Sequence, residues 1–163
     1  LLSCNKIFNN LNLNKYNLVV HESDLPKGRG FSPVSWQIIL GQNTIPICLF
    51  EADKSVDCGR IYFKDVITLK GNELIDEIRE KQALKSFELI LRFLKCSTFP
   101  KPIKQKGNPT YFKKRNPSDS QLDINKTIKE NFNNFRVGDN NRYPSFFEYE
   151  GSKYSLKIDK IIY

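Results

Sequence analysis

The chain has 163 residues, 39% of them apolar and 12% aromatic, enough for one domain with its own core. No run approaches the ~20 apolar residues a membrane-spanning helix needs, and Leu1-Leu2-Ser3-Cys4-Asn5-Lys6 shows no signal-peptide pattern. A formal charge of +8 points to an anionic partner, while four scattered cysteines and a single histidine offer no zinc pattern.

Without a C-x-x-C pair, the cysteines suit a reducing cytoplasm. The sequence has no methionine, even at position 1, and it starts inside what reads as an apolar strand. An upstream portion is therefore expected to be missing.

Taken in order, residues 1–4 read as the end of a buried strand and 9–15 as a polar, asparagine-rich connection. Leu18-Val19-Val20-His21 is short, apolar and β-branched, the pattern of a central parallel strand, and it ends on the only histidine. A lone histidine is more often structural than catalytic. Its place at the mouth of a strand–loop–helix unit makes it a candidate here. Pro26, Gly28 and Gly30 mark a loop of unusual backbone freedom, and open α/β sheets hold ligands at such loops.

Ser32 and Pro33 suit the cap and first position of a helix over 33–40, which Gly41 ends. Val34, Ile38 and Ile39 share a face, and Trp36 reads as packing. Strands are predicted over 45–50 and 60–70. Gly71-Asn72 then opens the longest helix, running to about Lys95, with Ala83, Phe87, Ile90, Leu91 and Leu94 as its core-facing stripe.

Residues 101–115 carry Lys101, Lys104, Lys106, Lys113, Lys114 and Arg115 with no acid. This is either a solvated lysine-rich loop or a polyanion site. A shorter helix over 123–135 follows, with Ile124, Ile128 and Phe132 on one side. Segments 146–150 and 153–161 alternate about Glu150-Gly151-Ser152 as a β-hairpin. The chain divides into a core over 1–100 and an extension of the same domain over 101–163.

His21-Glu22-Ser23-Asp24-Leu25-Pro26-Lys27-Gly28-Arg29-Gly30 resembles the His-x-Ser-x-Leu-Pro-x-x-Arg-Gly motif of the 10-formyltetrahydrofolate-dependent formyltransferases. Val56-Asp57-Cys58-Gly59 is similar to that family's Asp-x-Gly motif, and the 36-residue interval from His21 to Asp57 matches its spacing. Lys70-Gly71-Asn72-Glu73 sits where the family has a Gly-x-Glu helix start. Arg115-Asn116-Pro117-Ser118-Asp119 looks like a segment of its sugar N-formyltransferases, and Phe135-Arg136-Val137 with Tyr143-Pro144-Ser145-Phe146-Phe147 resembles the segment closing the transferase domain. The resemblance implies an α/β chain forming part of a Rossmann-like fold, a mostly parallel sheet flanked by helices, with a C-terminal hairpin. The family's first β-α-β units would lie upstream of Leu1.

Formyl transfer to an amine needs a proton acceptor, donors for the tetrahedral oxyanion and a leaving nitrogen. Histidine suits the proton step near neutrality, and a neighbouring carboxylate fixes its tautomer and stabilises the imidazolium. The resemblance assigns these roles to His21 and Asp57. The family's oxyanion asparagine stands two residues before the histidine, where this chain has Val19, and Asn5 is the amide expected to replace it. The resemblance further implies a folate site from Leu2, Ser3, Cys4, Leu25, Pro26, Gly30, Val56 and Asp57. It implies acceptor contacts from Lys27, Arg29, Arg115 and Asp119, and no metal.

The expected acceptor is a nucleotide-linked 4-amino-4,6-dideoxy hexose destined for surface glycans such as O-antigen lipopolysaccharide, handled by a cytoplasmic homodimer without membrane or nucleic-acid partners. The alternatives are a methionyl-tRNA formyltransferase-like enzyme acting on RNA and a non-catalytic folate-binding homologue.

Overall fold

The structure is a computed structural model that describes residues 10–161. Its sheet has three strands in the order β1 (Leu18–His21), β3 (Thr44–Glu51) and β4 (Ile61–Thr68). Both pairings are antiparallel, with His21 opposite Cys48 and Cys48 opposite Lys64. The expectation of Leu18–His21 as a central parallel strand is thus corrected: its pairing with β3 is antiparallel. A short β-branched apolar run reads the same in either direction, so its sequence carries no orientation. Between them lies helix α1 (Pro33–Ile39), which at 1.5 Å per residue spans only about 10 Å.

β3 is nearly continuous in apolar residues because both of its faces are covered. Ile45, Ile47 and Leu49 join Val34 and Ile38 of α1, and Ile78, Leu89 and Phe93 of α2 (Ile75–Leu94), in the main core. On the other face Cys48 and Phe50 pack with Val19, Leu25 and Ile61 in a smaller cluster. Strand alternation puts His21 on the same side as Val19, the side covered by the loop rather than the helices.

Helix α2 begins at Ile75, after a turn, and its buried face differs from the predicted one. Ile78, Ser86, Leu89 and Phe93 point inward, while Ala83, Leu84, Phe87, Leu91 and Leu94 are exposed and Ile90 is half-buried. Two apolar stripes run along this helix, and periodicity does not say which one docks.

The turn before α2 is built around Glu73. Its carboxylate accepts from the backbone N–H of Lys70 (2.8 Å) and Gly71 (3.0 Å) and from Lys81 Nζ (2.8 Å). Arg136, at the end of α3 (Ile128–Arg136), is almost wholly buried, with Nη2 3.4 Å from Glu73 Oε2 and Nη1 donating to Asn43. Thr127 caps α3 in a reciprocal box with Glu130. Ser32, by contrast, makes no side-chain cap; it stands in the left-handed region at φ 51°.

Two-residue strands β2 (Arg29–Gly30) and β5 (Tyr111–Phe112) pair in parallel. The chain closes with the expected hairpin, β6 (Ser145–Tyr149) and β7 (Ser152–Leu156), turning through Glu150 and Gly151 at positive φ. Among the described residues no helix is long and apolar enough to cross a membrane.

Candidate active site

The end of β1 and the loop after it form the first wall of the site. His21 is buried, and its Nε2 lies 2.8 Å from the Gly28 carbonyl oxygen. That oxygen can only accept, so Nε2 carries the ring hydrogen and the lone pair resides on Nδ1. For the chain to return within reach of the ring, Gly28 and Gly30 adopt φ 69° and 100°. A Cβ on Gly30 would run into the Phe112 carbonyl, so β2 and β5 meet as they do only because this residue has no side chain.

Asp57 comes from the turn between β3 and β4. Its Oδ2 accepts from the Gly30 N–H at 2.8 Å and stands 3.7 Å from His21 Nε2. The two side chains are only 8% and 11% exposed, so an imidazolium formed on His21 would meet the Asp57 carboxylate with little water between them. The sequence-predicted pair is therefore brought together, at ion-pair distance.

The basic segment is stitched onto the glycine-bearing loop after β1. Thr110 accepts Gly28 N–H on its hydroxyl (2.8 Å) and Arg29 N–H on its carbonyl (2.9 Å). Trp36 Nε1 donates to the Lys113 carbonyl at 2.7 Å, with Lys113 Nζ 5.2 Å from the indole centre, so this tryptophan tethers the segment as well as packing. Lys101, Lys104, Lys106, Lys113 and Lys114 are exposed.

Of the other expected site residues, Leu25 is buried beneath the loop, while Lys27 and Val56 are exposed. Arg29 donates through Nη2 to Gln105 at 2.7 Å, and its Nε is buried without a partner, as is Ser23 Oγ. Arg115 turns its Nη atoms to the Val137 carbonyl and Ser120 Oγ (both 3.1 Å), and Asp119 is occupied by Lys113 and the Asn116 N–H. Leu2, Ser3, Cys4 and Asn5 lie outside the described residues. Among the described residues no cluster of His, Cys, Asp or Glu is placed to hold a metal.

Two residues escaped the sequence reading. Gln105 bonds to Asp57, Gly59 and Arg29, contacts between positions more than 45 apart that no local pattern signals. Glu22, next to His21 just past the end of β1, is buried against Gln82 Nε2 (2.7 Å) beside a cavity of about 330 Å³. Burial raises its pKa, and the Gln82 hydrogen bond offsets part of that rise.

No protein-family model matches the chain. It is 31% identical over 121 residues to the methionyl-tRNA formyltransferase of Francisella philomiragia, covering 74% of this chain and 39% of that protein. Its fold superimposes on methionyl-tRNA formyltransferase from Clostridium thermocellum with a TM-score of 0.77, 26% identity, 90% coverage of this chain and 64% of that one. A 4-N formyltransferase from Francisella tularensis gives 0.70 with 20% identity, covering 98% and 70%. The chain thus spans well under half the length of the Francisella philomiragia relative. With the spaced His21 and Asp57 motifs meeting in one buried corner, these likenesses agree: the chain is similar to the formyltransferases in sequence and in fold.

Proposed function

We propose that the protein moves a formyl group from 10-formyltetrahydrofolate to a primary amine, with His21 and Asp57 as the acid–base pair. The observation that carries this reading is the 3.7 Å approach of His21 Nε2, at the end of β1, to Asp57 Oδ2, in the turn after β3, within segments that resemble the family's motifs. The folate supplies an activated formyl group and a nitrogen that can leave. The attacking amine sheds its proton to the imidazole, whose free lone pair lies on Nδ1 while Nε2–H is held by Gly28. Asp57 stabilises the imidazolium that results.

As the amine attacks, charge grows on the formyl oxygen and calls for donors. Val19 has none in its side chain. The buried, unpartnered Arg29 Nε and Ser23 Oγ are donors left unused by the fold, which supports a polar ligand at this loop.

For the acceptor, the 31% identity to a methionyl-tRNA formyltransferase supports an aminoacyl-tRNA amine, and the exposed lysines beside the loop suit its phosphates. The expected nucleotide-linked amino sugar is the second reading. It draws on the 98% coverage by the fold of the 4-N formyltransferase and on the resemblance around Arg115 and Asp119. Cys48, Cys58 and Cys96 are free thiols, which suits a reducing compartment.

The test is turnover of 10-formyltetrahydrofolate by the full-length protein with methionyl-tRNA and with a panel of nucleotide-linked 4-amino-4,6-dideoxy hexoses. Formylation of one class, abolished by His21→Ala, is the expected result. Folate binding without turnover on any amine would instead mark a folate-binding homologue, and undiminished turnover in His21→Ala would remove the proposed base.

A further inference from the structure

We propose that the Gln105 side chain is a positioning residue that holds Asp57 at its working distance from His21. The meaning of that pair rests on the formyl-transfer reading above; the geometry does not. Asp57 occupies the left-handed region at φ 53°, which is uncommon outside glycine although aspartate enters it more readily than most, so contacts from outside the turn help to hold it. Among the described residues, the hydrogen bonds that reach Asp57 and Gly59 from outside their turn come from Gly30 and Gln105. Gly30 holds the carboxylate. Gln105 Nε2 holds the backbone, donating to the Asp57 carbonyl at 2.8 Å and the Gly59 carbonyl at 2.9 Å.

The amide can sit only one way round. Its Oε1 accepts from Arg29 Nη2 at 2.7 Å, so reversing it would put an NH2 against a guanidinium and an oxygen against two carbonyls. One side chain thereby ties the Asp57 turn to the loop that carries Gly28, the His21 partner. Its own backbone is pinned two residues earlier, where Ile103 and Ile61 exchange two 2.8 Å bonds. Glutamine fits this place for a stated reason. Glutamate would oppose the two carbonyls, asparagine would fall a methylene short, and alanine would leave both carbonyls and Arg29 Nη2 without this partner.

Because His21 is the only histidine, its ring C–H resonances report the surroundings of the imidazole in the 163-residue chain without assignment ambiguity. Because it removes the carboxylate charge 3.7 Å from the ring, Asp57→Asn should displace those resonances at fixed pH. Gln105→Ala, which frees the backbone beneath that carboxylate, should displace them in the same direction. Gln105→Glu and Gln105→Asn should do likewise, and serve if the alanine variant fails to fold. In the full-length enzyme, Gln105→Ala should lower kcat by about 10- to 100-fold with KM for the formyl donor changed less than about threefold.

A purely structural glutamine would lower the melting temperature and leave the His21 ring resonances in place. That outcome, with Asp57→Asn shifted, would overturn the proposal, as would unfolding of all three Gln105 variants. If the protein formylates no amine, the functional reading fails, while the His21 ring resonances still decide the role of Gln105.

Discussion

His21 and Asp57 approach to 3.7 Å through Nε2 and Oδ2, close enough for an ion pair and too far for a hydrogen bond, because each atom is already engaged by the glycine loop. Gly28 takes the imidazole hydrogen and Gly30 gives its N–H to the carboxylate, both at 2.8 Å. The loop therefore holds the pair in a waiting arrangement in which neither residue is free to rotate. Asp57→Asn keeps the shape and removes the charge that stabilises an imidazolium. It is expected to lower kcat by about 10²- to 10⁴-fold with little change in stability, read by steady-state kinetics beside thermal denaturation.

The glycine loop itself should separate two kinds of glycine. Gly41 has φ 88° with open space around it, so Gly41→Ala meets backbone strain alone and should cost about 1 kcal/mol. Gly30 has φ 100° and the Phe112 carbonyl against it, so Gly30→Ala must also break the β2–β5 pairing and release Asp57. Denaturant titration should show the larger stability loss at Gly30, and turnover should fall only there.

Glu73 and Arg136 form a buried pair, and removing one partner leaves the other charged in the interior. Glu73→Ala is expected to cost about 3–5 kcal/mol at neutral pH, measured by denaturant unfolding. Burial pushes the Glu73 pKa up. The Lys81 ammonium and the backbone N–H groups of Lys70 and Gly71 outweigh it and hold the pKa at about 2. The folded value lies below the ordinary 4.5, so Glu73 stabilises the fold above that pH and loses its contribution as pH falls towards about 2. Asp139 follows the same rule: the Arg79 hydrogen bond leads in holding it at about 2. Unfolding between pH 5 and 2 should be steep in the native protein and shallower in Glu73→Ala.

Glu22 behaves in the opposite sense. Its folded pKa is raised, so its neutral form is favoured by the fold and the ionised form is penalised as pH rises above 4.5. Glu22→Gln keeps an acceptor for Gln82 and removes the penalty. Its melting temperature should exceed the native one by roughly 2–4 °C per kcal/mol gained at pH 7.5 and converge with it near pH 4.

The two stripes of α2 give a further test. Leu89 and Phe93 are each 1% exposed, and truncating either to alanine should cost about 2–5 kcal/mol. Phe87 and Leu91 are 54% and 50% exposed, so Phe87→Ser and Leu91→Ser in the 163-residue chain should each change stability by less than about 1 kcal/mol. Equal losses from the two faces would refute the docking of α2.

The sequence by itself determined the apolar runs that become β1, β3 and β4, the amphipathic helices and the glycine-bearing loop after the only histidine. These are local signals, written in composition and period over a few residues. The resemblance of its motifs implied that His21 and Asp57 belong together, and the structure sets them 3.7 Å apart. Only the tertiary structure decided that β1 runs antiparallel to β3, that Leu89 and Phe93 rather than Phe87 and Leu91 face the core, and that Trp36 tethers Lys113. The Glu73–Arg136 and Gln105–Asp57 contacts join residues 63 and 48 positions apart. A hydrogen bond over such a distance leaves no trace in local periodicity, because it depends on where independent elements come to rest against one another.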